Sequence, residues 1–150
     1  MDLILWRHCE AEPGEPDLGR RLTAKGIKQA ERMALWLEQR LPDSCRILVS
    51  PADRAQQTAL ALGRKFKTTG DVAPGASVQS VLAAAHWPDA RDPVLVVGHQ
   101  PTLGEVAALL LADADIGWSV RKGAVWWLSS RLREGESTVV LKAVVAPDFL

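Results

Sequence analysis

The chain has 150 residues, of which 18 are basic and 18 acidic, so its formal net charge is +0. Hydrophobic residues make up 47% of it, which is typical of a globular protein with one core and excludes a disordered chain. The balanced charge excludes bulk attraction to nucleic acid or to an acidic membrane, so neither is expected as a partner. We therefore expect residues 1–150 to form a single domain.

Cysteine usage and the N-terminal residues indicate the cellular compartment. Cys9 and Cys45 show neither a metal-ligand spacing nor a disulfide framework. The apolar run Leu3–Trp6 is too short for a signal-peptide core, and no apolar run approaches the length of a membrane-spanning helix. The expectation is a cytoplasmic protein that binds no metal and inserts into no membrane.

The first third of the chain predicts a strand, a loop and a helix. Leu3–Trp6 predicts a buried strand that ends at Arg7-His8, and the prolines and glycines of residues 10–21 predict a loop. Thr23 is expected to be the N-cap of the helix. The apolar stripe of that helix is predicted to consist of Ile27, Ala30, Ala34, Leu37 and Leu41.

Two further strands are predicted in the middle of the chain. Arg46–Val49 predicts the second strand, and Ser50-Pro51 predicts the N-cap and first position of a helix with Arg54 in its first turn. Residues 67–77 predict a loop, and residues 78–87 fit a helix with or without a short strand before it. Val94–Val97 predicts a strand buried on both faces, with His99 between it and a helix that starts at Pro101.

The last third predicts an antiparallel edge of the sheet. Ala124–Leu128 and Thr138–Val145 predict two strands, and the charged segment Arg131–Glu136 predicts the turn between them. Together the elements predict an α/β fold with three α/β/α layers, in which a mostly parallel central sheet carries an antiparallel edge.

Three predicted strand-to-helix junctions carry Arg7-His8, Arg54 and His99. Because parallel strands end at the same edge of a sheet, we expect two imidazoles and two guanidiniums to meet there. Guanidiniums bind tetrahedral oxyanions through paired hydrogen bonds, so phosphate is the expected occupant. A neutral imidazole can attack phosphorus, and a protonated one can neutralise a phosphoryl oxygen.

Four blocks of the sequence resemble the signature blocks of the histidine phosphatase superfamily: Leu5–His8, Leu22–Ala30, Ser50–Ala59 and Val97–His99. The short chain and the order of the blocks resemble the small SixA-type branch of phosphohistidine phosphatases, over roughly the first two-thirds of the chain. The resemblance implies a phosphoglycerate mutase-like fold and catalysis without a cofactor.

The resemblance also implies roles for single residues. His8 would be the nucleophile that becomes phosphorylated, and His99 would be the second histidine of the pocket. Arg7 and Arg54 would bind the phosphoryl oxygens, and their charge would make a metal unnecessary. Supporting roles fall to Ser50 and Thr58, and the further candidates for substrate binding are Arg20, Arg21 and Gln100.

The chain departs from the family pattern in two places. Cys9 occupies a position that is commonly glycine, which the fold should tolerate unless the position requires a positive φ. Residues 75–87 contain no acidic residue where phosphomonoesterases of the family carry a general acid. An alkoxide needs a proton to leave, whereas the imidazole of phosphohistidine leaves readily, so this absence favours phosphohistidine as the substrate.

These observations predict a metal-independent phosphatase that forms a phosphohistidine intermediate and acts on phosphohistidine in a protein. A histidine-containing phosphotransfer domain is one candidate partner. Glu10 or Glu12 could act as a substitute acid, which keeps a small-molecule phosphomonoesterase as an alternative. Cys9 and the missing acid also leave open a non-catalytic phosphate-binding module.

Overall fold

The computed structural model describes residues 1–150. In chain order its strands and helices are β1 Asp2–Arg7, α1 Ala24–Glu38, β2 Arg46–Val49, α2 Asp53–Leu60, β3 Lys67–Thr68, α3 Val78–Ala84, β4 Val94–Gly98, α4 Thr102–Ala112, β5 Val125–Arg133 and β6 Glu136–Val145. Short 3-10 turns cover Asp17–Gly19, Gly70–Val72 and Pro147–Phe149. None of the helices is both long enough and apolar enough to cross a bilayer.

All six strands form one sheet in the order β3-β2-β4-β1-β5-β6. Strands β1 to β4 are parallel to one another, and β5 and β6 run antiparallel at one edge. The predicted mostly parallel sheet with an antiparallel edge is confirmed. Strand β4 lies between β1 and β2, with Arg7 opposite Gly98 and Val49 opposite Val97, so these three strands end at the same edge.

Alternating side chains of the central strands bury both faces of the sheet. On one face Ile4, Trp6 and Val97 pack with residues of α1 and α2. On the other face Leu3, Leu5 and Val96 pack with residues of α3 and α4. This arrangement gives the three α/β/α layers that the sequence predicted, and the ends of β1, β2 and β4 lie between them.

The N-terminal ends of two helices differ from the prediction. Helix α2 begins at Asp53 with Ala52 as its N-cap, so the prediction of Ser50 as the cap was wrong. The Ser50 hydroxyl instead accepts a hydrogen bond from the N–H of Ala52, at 3.2 Å, within the loop before the helix. Helix α4 begins at Thr102, one residue later than predicted, and Pro101 is its N-cap.

The predicted apolar stripe of α1 is partly wrong. Thr23 is the N-cap as predicted, because its Oγ1 accepts the N–H of Gly26 at 2.9 Å. Ile27, however, is 43% exposed, whereas Met33, which the predicted stripe did not include, is fully buried. Leu41 is buried but lies beyond the end of the helix.

Two strand predictions also need correction. Lys67–Thr68, predicted as loop, forms the two-residue edge strand β3, whose exposed side chains give no hydrophobic signal. The hairpin between β5 and β6 is longer than predicted, and its turn is only Glu134-Gly135. Both of these residues have a positive φ, of 51° and 80°. Positive φ at both central positions suits a tight turn between twisted strands.

Candidate active site

The register of the parallel strands brings the two junction histidines together. His8 follows β1 and donates its backbone N–H to the carbonyl of Gly98, the last residue of β4, at 3.1 Å. His99 comes next in the chain, and the two imidazole rings lie 5.2 Å apart between centroids. Both side chains are buried. The predicted convergence of the two histidines is therefore present in the structure.

His8 has one ring nitrogen bound and one available. Its Nδ1 lies 2.8 Å from the carbonyl oxygen of Cys9, so Nδ1 carries the hydrogen and Nε2 keeps its lone pair. Burial lowers the pKa of His8 to about 4, and the charges of Arg54, Arg7 and Arg20 contribute in the same direction. At neutral pH the ring is uncharged, which is the state that a nucleophile requires.

His99 is held by a serine from the neighbouring strand end. Its Nε2 lies 2.7 Å from Oγ of Ser50, which follows β2. When that hydroxyl donates to Nε2, Nδ1 carries the hydrogen, and this buried atom has no partner in the protein. Burial, and then the charges of His8 and Arg54, lower the pKa of His99 to about 3. An anion at the site would reverse this shift and favour the charged imidazolium.

Arg54 lies in the first turn of α2, and its guanidinium contacts the loop that follows β1. Its Nη1 donates to the carbonyl oxygen of Asp17 at 2.8 Å, and its Nη2 donates to the Asp17 carboxylate at 3.2 Å. Thr58, one turn further along α2, donates from Oγ1 to the Arg54 carbonyl at 2.8 Å and accepts the N–H of Cys9 at 3.1 Å. The helix is thus fastened to the backbone next to His8.

Arg7 is the last residue of β1, and its guanidinium is also held at one end. Its Nη1 donates to the carbonyl oxygen of Val120 at 2.8 Å. Burial, and then repulsion by the charge of Arg54, lower the pKa of Arg7. Neighbouring buried cations of this kind are stabilised by an anion between them.

The buried side-chain nitrogens without a partner are Arg7 Nε, Arg54 Nε and His99 Nδ1. A buried donor without an acceptor costs free energy, so such atoms usually mark the place of a ligand or water. All three belong to the four residues that the sequence predicted for the phosphate site. A tetrahedral oxyanion supplies the acceptors that these donors lack.

The other predicted substrate-binding residues behave differently from one another. Arg20 lies near the site: its charge contributes to lowering the pKa of His8, and its Nη1 lies 3.1 Å from the Asp17 carboxylate. Arg21 is exposed and extends towards Asp53, 4.0 Å away. The Arg21 side chain makes no hydrogen bond to His8 or His99.

Both polar atoms of the Gln100 amide are hydrogen-bonded to other parts of the protein. Its Nε2 donates to the Trp118 carbonyl at 2.8 Å, and its Oε1 accepts the N–H of Gly104 at 2.7 Å. Both ends of the amide are therefore used to fasten the loop after α4 to the first turn of that helix. The prediction of Gln100 as a substrate ligand is not supported by this arrangement.

Asp17 is the carboxylate of the site, and the sequence analysis assigned it only to a loop. Its charge acts on the pKa of His99 in the direction that favours the charged imidazolium. Glu10 is occupied elsewhere, because its Oε2 accepts the Thr23 hydroxyl at 2.9 Å. A single aspartate in a loop of prolines and glycines carries no sequence pattern that predicts such a contact.

Cys9 fits its position without strain. The non-glycine residues with positive φ are His86, Asp113 and Glu134, so Cys9 does not occupy a conformation that requires glycine. Its side chain is fully buried, and burial raises the pKa of the thiol to about 12. No group of three or more His, Cys, Asp or Glu side chains is arranged to hold a metal ion.

Comparison with known proteins agrees with this arrangement. Residues 3–76 match the family model of the histidine phosphatase superfamily, branch 1. A phosphohistidine phosphatase SixA homolog of Haemophilus influenzae is 35% identical over 126 residues, which cover 73% of this chain and 77% of that protein. Phosphohistidine phosphatase SixA of Escherichia coli is 29% identical over 119 residues, or 73% of this chain and 74% of that one.

The fold is similar to that of a solved member of the same group. The structure of the protein histidine phosphatase SixA complexed with tungstate superposes with a TM-score of 0.79 at 26% identity, and the match covers 99% of both chains. Sequence relatives and fold lead to the same group. The chain therefore belongs to the histidine phosphatase superfamily, in its SixA-type branch, and is a phosphatase.

Proposed function

We propose that this phosphatase removes the phosphoryl group from phosphohistidine in a protein, without a metal, through a phosphorylated His8. One observation carries the proposal. An uncharged His8 with its Nε2 available has its ring 5.2 Å from that of His99, in a site where His99 and the two arginines each carry a buried nitrogen that lacks an acceptor. A nucleophile and a set of oxyanion donors are the two requirements of phosphoryl transfer.

The first step transfers the phosphoryl group to the protein. Arg7 and Arg54 bind its oxygens, and His8 Nε2 attacks phosphorus from the side opposite the leaving group. A bond forms between phosphorus and Nε2 while the bond to the substrate imidazole breaks, and that imidazole keeps the electron pair. His99, protonated when the anion is bound, neutralises the charge that develops on the phosphoryl oxygens.

The second step returns His8 to its starting state. Water attacks phosphorus, and the bond to Nε2 breaks with its electron pair returning to the ring. Inorganic phosphate leaves with the oxygen and the two hydrogens of the water. The hydrogen bond from Nδ1 to the Cys9 carbonyl orients the ring in both steps and lets it carry positive charge while it is phosphorylated. The arginines and the imidazolium supply the positive charge that a metal supplies in other phosphatases.

The state of the carboxylate supports a phosphoramidate substrate. Hydrogen bonds from Arg20 and then Arg54 lower the pKa of Asp17, so this group is ionised at neutral pH and has no proton to give to an alkoxide. The imidazole of phosphohistidine leaves without such an acid. Two relatives named phosphohistidine phosphatase support the same substrate, and a histidine-containing phosphotransfer domain is a suitable partner.

The test compares substrates and traps the intermediate. Wild-type protein should hydrolyse a phosphohistidine protein and free phosphohistidine much faster than an aliphatic phosphomonoester, and EDTA should not change the rate. Labelled substrate should leave an acid-labile, alkali-stable phosphoryl group on the wild type and none on His8→Ala. The opposite ranking of substrates would favour a phosphomonoesterase, and binding without turnover would favour a phosphate-binding module.

A further inference from the structure

We propose that Asp17 is a positioning residue whose carboxylate orients Arg54 and Arg20, so that the phosphoryl group meets guanidiniums already in place. The proposal rests on the phosphate site of the proposed function and adds a residue to it. Asp17 lies in the 3-10 turn Asp17–Gly19, between β1 and α1, and Arg20 directly follows this turn.

The carboxylate of Asp17 joins the two arginines. Oδ2 accepts from Nη2 of Arg54 at 3.2 Å, and Oδ1 accepts from Nη1 of Arg20 at 3.1 Å. The backbone carbonyl of Asp17 accepts a further hydrogen bond from Nη1 of Arg54 at 2.8 Å. Arg20 is fixed a second time by its Nε, which donates to the Glu12 carbonyl at 2.8 Å.

The way in which Arg54 is held leaves one edge of its guanidinium available. A guanidinium has five N–H donors, and Asp17 uses one on each terminal nitrogen. The Nε–H remains without a partner and buried. Nη2 carries two N–H groups, so one of them remains after its hydrogen bond to Asp17. These two form the pair that binds an oxyanion through parallel hydrogen bonds, so Asp17 and a phosphoryl group can occupy Arg54 at the same time.

The exposed fractions of the two side chains show that Asp17 lies on the solvent side of Arg54. The Arg54 side chain is 5% exposed, whereas that of Asp17 is 51% exposed, so the carboxylate covers the guanidinium from the solvent side. The negative charge of Asp17 also offsets the repulsion among Arg7, Arg20 and Arg54 before substrate binds. Preorganised donors of this kind need no rearrangement during the reaction.

A competing role for the Asp17 carboxylate would change phosphate affinity in the opposite direction. If the Asp17 carboxylate occupied the phosphoryl position itself, it would compete with the anion, and its removal would tighten phosphate binding. The positioning role predicts weaker phosphate binding instead. Phosphate affinity therefore separates the two roles, and it does so without any dependence on turnover.

The experiment uses Asp17→Ala and Asp17→Asn, with Glu38→Gln as the matched control. Glu38 pairs with Arg64 at 2.9 Å, with side-chain exposures of 53% and 15%, so it resembles the Asp17–Arg54 pair but lies at the opposite end of α1. For each protein, the inhibition constant of inorganic phosphate, kcat and KM for a phosphohistidine peptide, and the unfolding midpoint are measured.

We expect kcat/KM to fall about ten- to a hundred-fold in Asp17→Ala, with phosphate binding weaker by a similar factor. Asp17→Asn keeps an acceptor for Nη2, so we expect partial retention of both quantities. Glu38→Gln should leave both unchanged. If the wild type turns over normally, unchanged or tighter phosphate binding in either Asp17 variant would overturn the positioning role. Lack of turnover in the wild type would instead overturn the proposed function alone.

Discussion

A single hydroxyl binds one nitrogen of His99 and leaves the other available to the proposed phosphoryl site. The Ser50 Oγ lies 2.7 Å from His99 Nε2, and the other ring nitrogen is buried without a hydrogen-bond partner in the protein. The hydroxyl is itself fixed by the N–H of Ala52. A ring whose tautomer and orientation are set by such a partner acts as a donor at a defined atom.

We therefore expect Ser50→Ala to lower kcat/KM by about ten-fold or more, because His99 loses the contact that orients it. The measurement is steady-state kinetics with a phosphohistidine substrate. Ser77→Ala is the control, since Ser77 caps α3 through the N–H of Ser80 and does not contact the site. That variant should lose about 1 kcal/mol of stability and keep its activity. Equal activity of wild type and Ser50→Ala would show that the hydroxyl has no part in orienting His99.

Cys9, which lies next to the proposed nucleophile, should be chemically inert in the folded protein. Burial raises the pKa of Cys9 to about 12 and that of Cys45 to about 11, so both thiols stay protonated at pH 8. Because only the thiolate reacts, a disulfide reagent should modify neither residue rapidly until the chain unfolds. Labelling rates with and without denaturant measure this. Rapid modification of native protein together with loss of activity would instead identify Cys9 as a redox-sensitive group.

At the level of single residues, the sequence predicted what lies at strand ends and missed what lies in loops. Arg7, His8 and His99 each follow an apolar run, and the sheet brings such positions together whatever the detail of the loops. Asp17 reaches Arg54 only through the path of the Glu10–Arg21 loop, and no periodic pattern encodes that path. The prediction for Gln100 remains untested by direct binding, and its amide is hydrogen-bonded to Gly104 and Trp118 rather than left free.

The start of α1 packs directly against the backbone that follows His8. A side chain at Gly26 would overlap the carbonyl oxygen of Glu10, and Thr23 and Gln29 bind the same segment through hydrogen bonds. Helix α4 shows a similar close approach, because a side chain at Gly104 would overlap the Trp118 carbonyl. Both helices therefore depend on glycine in their first turn to hold a loop of the site.

Gly26→Ala should accordingly affect both stability and catalysis. Relief of the overlap requires either the helix or the Cys9–Glu10 backbone to move, with an overpacking cost of about 1–3 kcal/mol. Movement of that backbone also displaces the Cys9 carbonyl that orients His8, so kcat should fall. Denaturant unfolding and steady-state kinetics measure the two effects.

Gly70→Ala is the comparison for that experiment. Gly70 lies in a 3-10 turn, and a side chain there would meet nothing within 4 Å. We expect a stability within about 0.5 kcal/mol of the wild type and unchanged kinetics. A Gly26→Ala variant that behaved like Gly70→Ala would show that the close packing of α1 on this loop is not required.

Elements with a hydrophobic pattern were predicted closely, and elements without one were not. Strand β2 was predicted with its observed bounds, and β1 and β4 within one residue at each end, because buried parallel strands are apolar on both faces. Strand β3 was missed because its two residues are exposed. The ends of β5 and β6 were misplaced because the hairpin projects beyond the core, where charged residues continue the strands.

The molecule as a whole holds two imidazoles next to two guanidiniums in a buried position, and this arrangement costs stability. Neither imidazole has a negative partner in direct contact, and the Asp17 carboxylate only partly offsets the positive charge around them. Sites that perform chemistry are often destabilised in this way, and the surrounding core supplies the compensation. Here that core is the pair of buried layers on the two faces of the sheet.

The stability of the protein should therefore decrease as the pH falls from 7 to 5. The pKa of His8 is lowered from its ordinary value to about 4 and that of His99 to about 3, so the unfolded chain binds protons in this range while the folded chain does not. The free energy of unfolding rises with pH wherever the unfolded state binds more protons. Each histidine should contribute about 2 kcal/mol to the loss over these two pH units.

Denaturant unfolding at several pH values, with and without phosphate, measures this dependence. His8→Asn should make it shallower, because one buried imidazole is removed. His86→Asn is the control, since His86 is exposed and its φ of 55° suits asparagine, so the slope should not change. Saturating phosphate should also flatten the dependence, because an anion between the imidazoles and guanidiniums favours protonation in the folded state. An equal pH dependence in wild type and His8→Asn would contradict the burial of the His8 imidazole. In that case burial would no longer explain why the nucleophile is uncharged at neutral pH.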